Sequence, residues 1–245
     1  MYNFFIDKEN ADKNLRYVRG GDYNHIKNVL RMKEGDTVLI SCDNKSDLCK
    51  IISFGEDFVL LEVVEENYND TALPLSVYLF QGLPKSDKLE LIIQKAVELG
   101  VDKIIPVQTN RSIVKIDKNK DNKTARYNTI AESAAKQSKR NSIPEVMPAI
   151  TFNEALPLLK DLDLLIVPYE SHNGMECTLS TLRELKKDMK VGVFIGPEGG
   201  FEQKEVDTLS SLGGKVISLG KRILRTETAA ITALSMLMLY AEINL

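Results

Sequence analysis

Cysteine and histidine are scarce in this chain: its 245 residues include three cysteines, Cys42, Cys49 and Cys177, and two histidines, His25 and His172. The cysteines are odd in number, none stands in C-x-x-C spacing, and the histidines lie far apart, so no zinc or other metal site and no disulfide framework is expected. Long hydrophobic runs are lacking as well. The longest, Ala229 to Ala241, has 11 apolar residues of 13 and is flanked by Glu227 and Glu242; a membrane span requires roughly 18. The first residues, Met1-Tyr2-Asn3-Phe4-Phe5-Ile6-Asp7, have neither the basic start nor the apolar core of a secretory signal, and a cytoplasmic protein is expected. Three glycine motifs are also missing. Without G-x-x-x-x-G-K-[ST] or G-x-G-x-x-G the phosphate readings are weak. No serine sits in a G-x-S-x-G elbow and neither histidine has an evident nucleophile beside it, so the hydrolysis reading is weak as well.

What is present is ordinary for a globular protein of one large or two modest domains, with 43% hydrophobic and 27% charged residues, and two domains are expected. The net charge of −3 is unevenly spread. Residues 1–70 carry 9 Lys+Arg against 14 Asp+Glu, whereas residues 110–140 carry 9 basic against 3 acidic. A basic segment within a mildly acidic chain is either a solvated face or a local anion-binding surface.

Val64 to Pro74 breaks the apolar patterning with polar turn formers, which divides the chain into domains 1–70 and 74–245. The first reads as short strands (Asn3–Ile6, Thr37–Cys42, Leu48–Phe54, Phe58–Val64) with one helical pattern, Tyr23 to Leu30, that places Ile26, Val29 and Leu30 on one face. A small β-barrel with one helix follows. The second alternates. Strands at Leu75–Phe80, Lys103–Val107, Leu162–Val167, Val191–Ile195 and Lys215–Leu219 are separated by helices at Lys85–Leu99, about 122–138, Phe152–Leu159, Leu179–Leu185 and Glu202–Ser211. A last helix starts at Thr226. This is the α/β pattern of a parallel sheet with helices on both faces. The last helix is apolar nearly all round, so it is buried within its domain or against another subunit.

The run Gly196-Pro197-Glu198-Gly199-Gly200-Phe201 directly follows the strand Val191–Ile195. Glycines and a proline cannot continue a strand or helix, so this is a tight turn at a strand's carboxyl end, where open α/β sheets bind ligands. With the phosphate and nucleophile motifs absent, two readings stand: backbone approach to a flat, uncharged moiety, or a plain connection into the Glu202 helix. The run Leu219-Gly220-Lys221-Arg222-Ile223-Leu224-Arg225-Thr226-Glu227-Thr228-Ala229 follows some twenty residues later.

These two runs resemble the signature runs of the RsmE family, the ribosomal RNA small-subunit methyltransferase E enzymes of the SPOUT (α/β-knot) superfamily. Gln81-Gly82-Leu83-Pro84-Lys85-Ser86-Asp87-Lys88, Gln94 to Val101, Arg111-Ser112, Ala134 to Arg140 and His25 to Asp36 agree in the same order, so the resemblance spans nearly the whole chain. It implies a C-terminal α/β knot that binds S-adenosylmethionine and forms a homodimer. The N-terminal domain would be a PUA-like β-barrel that helps hold RNA. It implies a reaction, methylation of N3 of a uridine in 16S ribosomal RNA of the small subunit. A knot could not be read from patterning, because chains are generally unknotted.

Carried over by position, the resemblance places the cofactor against Gly196, Glu198 and Gly200 in the first run and Leu219, Gly220, Ile223, Leu224 and Thr228 in the second. Val167, Pro168 and Tyr169 form a third wall. Apolar Ile223 and Leu224 suit the faces of adenine, and free backbone groups suit its edge; read alone, both would be ordinary core. Uridine N3 is a poor nucleophile until its proton leaves, so the site needs a base or a cation that stabilises the uracil anion. Arg225 suits the uracil carbonyls, and equally an RNA phosphate or an ion pair. Glu198 or Glu227 could accept the proton, but Glu227 also suits the first turn of a helix that Thr226 would cap, and the base stays unassigned. For RNA the candidates are Arg111, Lys115, Lys118, Lys120, Lys123, Arg126, Lys136, Lys139 and Arg140, with His25 and Arg31 from the N-terminal domain. Lys136 stands where an acidic residue is expected of the family, and the N-terminal domain is net acidic. The alternatives are ribose 2′-O methylation, disfavoured by the lack of an S-L-N-V-S-type run, and a non-catalytic RNA-binding or assembly protein.

Overall fold

The computed structural model describes residues 1–85, 87–116, 120–170 and 174–245. The expectations resting on Ser86, Lys118 and His172 therefore lie outside the described residues, as does the side chain of Lys120. Contacts divide the chain into two compact units, Met1–Ala72 with Ala135–Ile143, and Leu73–Ala134 with Pro144–Leu245.

The first unit is a curled six-stranded sheet. Its strands are β1 (Asn3–Phe5), β2 (Ala11–Asp12), β3 (Leu15–Arg19), β4 (Thr37–Cys42), β5 (Lys45–Phe54) and β6 (Phe58–Glu65), in the order β1-β4-β5-β6-β3-β2. β1 runs parallel to β4 and the other pairs are antiparallel. Alternate residues face a core of Phe4, Val18, Ile40, Ile51 and Leu61, as the two-residue side-chain period of a strand requires. The helix α1 (Gly20–Asn24) passes into a π-turn over His25–Val29. That wider winding corrects the expected face: Ile26 enters the core, but Val29 is 66% exposed. β3 escapes the sequence pattern because its arginines interrupt the apolar alternation. Arg16 is nonetheless largely buried, 2.7 Å from Asp47.

The second unit is a parallel sheet, with β7 (Ser76–Gly82), β8 (Lys103–Gln108), β9 (Glu145–Val146), β10 (Ile150–Thr151), β11 (Leu164–Pro168), β12 (Lys190–Ile195) and β13 (Lys215–Ile217). Six strands run in the order β10-β8-β7-β12-β11-β13, and β9 also pairs with β8. The helices between strands are α2 (Lys88–Glu98), α3 (Lys120–Ser138, whose residues from Ala135 belong to the first unit), α4 (Phe152–Leu159), α5 (Glu176–Arg183) and α6 (Gln203–Ser211), and α7 (Thr226–Asn244) follows the last strand. The stripe read from α2 is its buried face: Leu89, Ile92, Ile93, Ala96 and Val97. α7 packs against α2 and β12. Although its sequence is apolar nearly all round, it buries only one face, with Ala230, Ala233, Leu234, Leu237 and Ala241 at helical spacing.

Candidate cofactor and substrate site

The parallel register brings the carboxyl ends of β11, β12 and β13 to one edge, where the segments after them enclose a cavity of about 350 Å³. The glycine turn forms its floor. Gly200 has φ +65, a left-handed conformation costing an L-residue roughly 1–2 kcal/mol, and its N–H donates to Pro197 O at 2.9 Å. The turn is fastened beyond this by Phe201, which is buried edge-on against Phe194 with ring centroids 5.3 Å apart. It is fastened from below by the strand that precedes α2: a Cβ on Gly82 would lie 2.5 Å from Pro197 N.

The second run closes over the first. Thr226 was expected to cap α7, but Arg225 holds the N-cap position without a side-chain cap. The Thr226 hydroxyl instead donates to Gly196 O at 2.7 Å and accepts from Gln81 Nε2 at 2.9 Å. One buried threonine thus ties both runs to the end of β7.

Charge is arranged in two groups. At the base, Lys88 Nζ lies 3.0 Å from Glu198 and 3.3 Å from Glu227, and the Lys85 N–H also donates to Glu198 Oε1 at 3.0 Å. The hydrogen bond to Glu198 leads in raising Lys88 above the ordinary lysine range. Partial burial pulls the Glu198 carboxyl upward, but the N–H groups of Lys85 and Glu198 and the Lys88 ammonium outweigh it and hold the carboxyl below its ordinary value. Such a carboxylate is a weak base with committed lone pairs, suited to anchoring the turn. At the rim, Lys221, Arg222 and Arg225 are exposed. Arg225 makes no side-chain hydrogen bond or ion pair with any described residue.

Of the residues carried over for the cofactor, Tyr169, Gly196, Glu198, Gly200, Leu219, Gly220, Ile223 and Leu224 line this one cavity, together with Arg225. Ile223 is 85% exposed, so its core reading does not hold. Two placements are corrected. Val167 is fully buried in the core cluster behind β11, and the following Pro168, Tyr169 and Glu170 form the wall instead. Thr228 is exposed in the first turn of α7 and does not line the cavity, whereas Ala229 does; at 3.6 residues per turn, positions 225, 226 and 229 share a side that 228 leaves.

The RNA candidates fall into separate groups. In the first unit His25, Arg31 and Lys139 are exposed. Arg140 is 3% exposed, which corrects its reading as a phosphate contact; its carbonyl accepts from Asn3 Nδ2 at 2.8 Å. Lys136 pairs with Asp22 at 2.9 Å. In the second unit Arg126 pairs with Glu90 at 2.8 Å, and Lys115 lines a second cavity of about 390 Å³ with Lys204. Arg111 reaches the glycine turn itself, donating from Nη1 to Gly199 O at 3.1 Å. Pattern reading assigned no role to Gln81, Lys88 or Glu170. Gln81 and Lys88 lie in the stretch that carries the resemblance, but their partners are over a hundred residues away.

Residues 71–238 match the RNA methyltransferase domain family and residues 18–64 the RNA methyltransferase PUA domain. The chain is 41% identical over 251 residues to the ribosomal RNA small subunit methyltransferase E of Bacillus subtilis, with 99% of this chain and 98% of that protein covered. A protein of Legionella pneumophila solved with the bound cofactor SAM superposes with a TM-score of 0.80 at 31% identity, covering 97% of this chain and 96% of that one. The ribosomal RNA small subunit methyltransferase E of Neisseria gonorrhoeae, bound to S-adenosyl methionine, superposes at 0.82 with 26% identity, covering 98% and 97%. The fold class is the one the sequence resemblance implies, a SPOUT-type parallel-sheet α/β domain with a PUA domain before it, and the chain belongs to the ribosomal RNA small-subunit methyltransferase E family.

Proposed function

We propose that the cavity between the two runs holds S-adenosylmethionine and that the protein transfers its methyl group to N3 of a uridine in 16S ribosomal RNA of the small subunit. The observation that carries this is the convergence of glycine turn, apolar wall and a guanidinium unpaired among the described residues at one strand-end cavity in a chain of this family. The residues fit the cofactor. A volume of about 350 Å³ lies within the range of small-molecule pockets, and Ile223, an aliphatic side chain left almost wholly in solvent, offers a face for a flat ring. When bound, the cofactor supplies the electrophilic methyl group.

The remaining chemistry belongs to the chain. Arg225 directs its N–H donors at the uracil carbonyl oxygens and stabilises the anion formed when N3–H loses its proton. With the cofactor bound, the N3 lone pair would accept the methyl group it supplies in exchange for its bond to sulfur, giving S-adenosylhomocysteine, N3-methyluridine and a proton. Lys88, Glu198 and Glu227 hold the turn and the start of α7 in register for this. RNA is held by phosphate contacts from exposed cations, including Arg111, Lys115 and Lys139, which give affinity and a steep salt dependence without reading sequence. A ribosomal substrate agrees with a cytoplasmic location, and among the described residues no helix is long and apolar enough to cross a membrane. The uncovered apolar side of α7 supports a homodimer.

The decisive experiment is methyl transfer onto small subunits from a strain lacking the enzyme, followed by nucleoside mass spectrometry. N3-methyluridine is expected; a methyl on ribose rejects the chemistry. Failure of S-adenosylmethionine to bind in calorimetry rejects the enzyme reading.

A further inference from the structure

The cavity is lined by two carboxylates, and they differ in their partners. Glu198 is engaged by Lys88 and by the Lys85 N–H. Glu170, just past β11, is exposed and makes no hydrogen bond or ion pair with any described residue, although it lines the same cavity. The backbone before it is fixed, because Tyr169 N–H donates to Ile217 O at 3.0 Å and continues the pairing of β11 with β13. Across the cavity its oxygens lie 3.1 and 3.2 Å from the point where a Cβ on Gly200 would stand, so the carboxylate rests over the one residue of the turn that has a left-handed φ and no side chain.

We infer that Glu170 recognises the ribose of the cofactor, its two oxygens accepting hydrogen bonds from the vicinal hydroxyls. The inference rests on the reading of the cavity as the S-adenosylmethionine site. A carboxylate offers two acceptors spaced to meet a diol, and it stands at the carboxyl end of a strand next to the one that bears the glycine turn. Nucleotide sites on parallel sheets use the same relation of acidic residue to ribose. That no described residue pairs with it matters here, because an acceptor already neutralised by lysine would add little to a hydroxyl donor. Bare Gly200 is part of the same arrangement: any side chain there would occupy the space into which the carboxylate leans.

Calorimetry separates the possibilities with three probes: S-adenosylhomocysteine, 5′-methylthioadenosine, which keeps the ribose but lacks the amino-acid part, and 2′,3′-dideoxy-5′-methylthioadenosine. Glu170→Ala is expected to weaken the first two by about tenfold or more, the scale of a hydrogen bond to a charged group, and to leave the dideoxy compound unchanged. Glu170→Gln, which keeps one acceptor oxygen, should recover part of the loss. The inference is overturned if the penalty appears with S-adenosylhomocysteine and is absent with methylthioadenosine, which puts the carboxylate on the ammonium group. It is also overturned if all three probes weaken equally or none does. Failure of the unaltered protein to bind S-adenosylhomocysteine would instead overturn the cofactor reading itself. Glu170 is exposed, so unchanged thermal unfolding of the unliganded variants keeps a folding defect apart from lost recognition.

Discussion

Arg225 carries the N-cap position of α7 and lines the cavity rim with a guanidinium that pairs with no described residue. If it acts on charge that develops in the uracil, its removal should affect turnover and leave the bound cofactor alone. Arg225→Ala is expected to lower kcat by about 10²–10³-fold, the scale of losing one preorganised donor. Calorimetric affinity for S-adenosylmethionine should stay within about twofold; parallel loss of both would move Arg225 into the cofactor pocket. Gly82 makes the opposite case. A methyl group there would meet backbone atoms of Gly196 and Pro197 at 2.5–2.8 Å, and backbone yields less readily than a flexible side chain. Gly82→Ala should therefore weaken cofactor binding sharply and cost about 1–3 kcal/mol of stability, as overpacking does, measured by denaturant unfolding. The contrast also marks what a sequence discloses at this scale. The glycine turn was legible because its composition forbids regular structure. The necessity of Gly82 was not, because it arises from a chain segment over a hundred residues away. Arg140 was misread for a similar reason: a basic run suggests solvent, and only the fold shows which member of the run is turned inward.

α2, the first run and α7 meet at Lys88, whose ammonium lies within 3.3 Å of both Glu198 and Glu227. This junction gives a pH dependence with a definite sign. Glu198 has its folded pKa lowered, so the stabilisation it supplies is complete above the unfolded carboxylate value and is lost as pH falls through the folded one. Unfolding free energies measured from pH 7 down to pH 3 should fall more steeply for the wild type than for Glu198→Gln once the ordinary carboxylate range is entered. Parallel curves would show that the ion pair does not contribute. A second junction tests the departure at Lys136. Lys136 is half-buried near the end of α3 and bonded to both oxygens of Asp22 in α1. Lys136→Glu should lower the unfolding free energy by about 1 kcal/mol or more, through like-charge contact in place of a pair. Asp22→Lys in the same chain should recover much of it, and additivity of the two changes would refute the pairing. Helix identities and the buried stripe of α2 were readable from apolar spacing. The short strands β9 and β10 were not, since two residues carry no period to detect.

At the scale of the whole chain, the outer side of α7 leaves large apolar side chains uncovered among the described residues. α7 reads as buried on all sides, and its own domain covers one. Leu239 and Ile243 on the other side are 55% and 70% exposed, and Leu91 on the adjoining α2 is 42% exposed. Large aliphatic side chains left in solvent on two helices that pack together are the character of a subunit interface. If a second copy of the chain covers them, as proposed above, a two-fold axis lets the same patch serve both partners. Sedimentation equilibrium should give twice the mass computed for one chain of 27.5 kDa. The double variant Leu239→Glu, Ile243→Lys should shift the protein to a monomer while leaving circular dichroism unchanged, because both side chains are exposed in the single chain and neither supports its core. A dimer that survives this change must be built on another face. A monomeric wild type would mean that the outer side of α7 is covered by the ribosomal substrate or left to water.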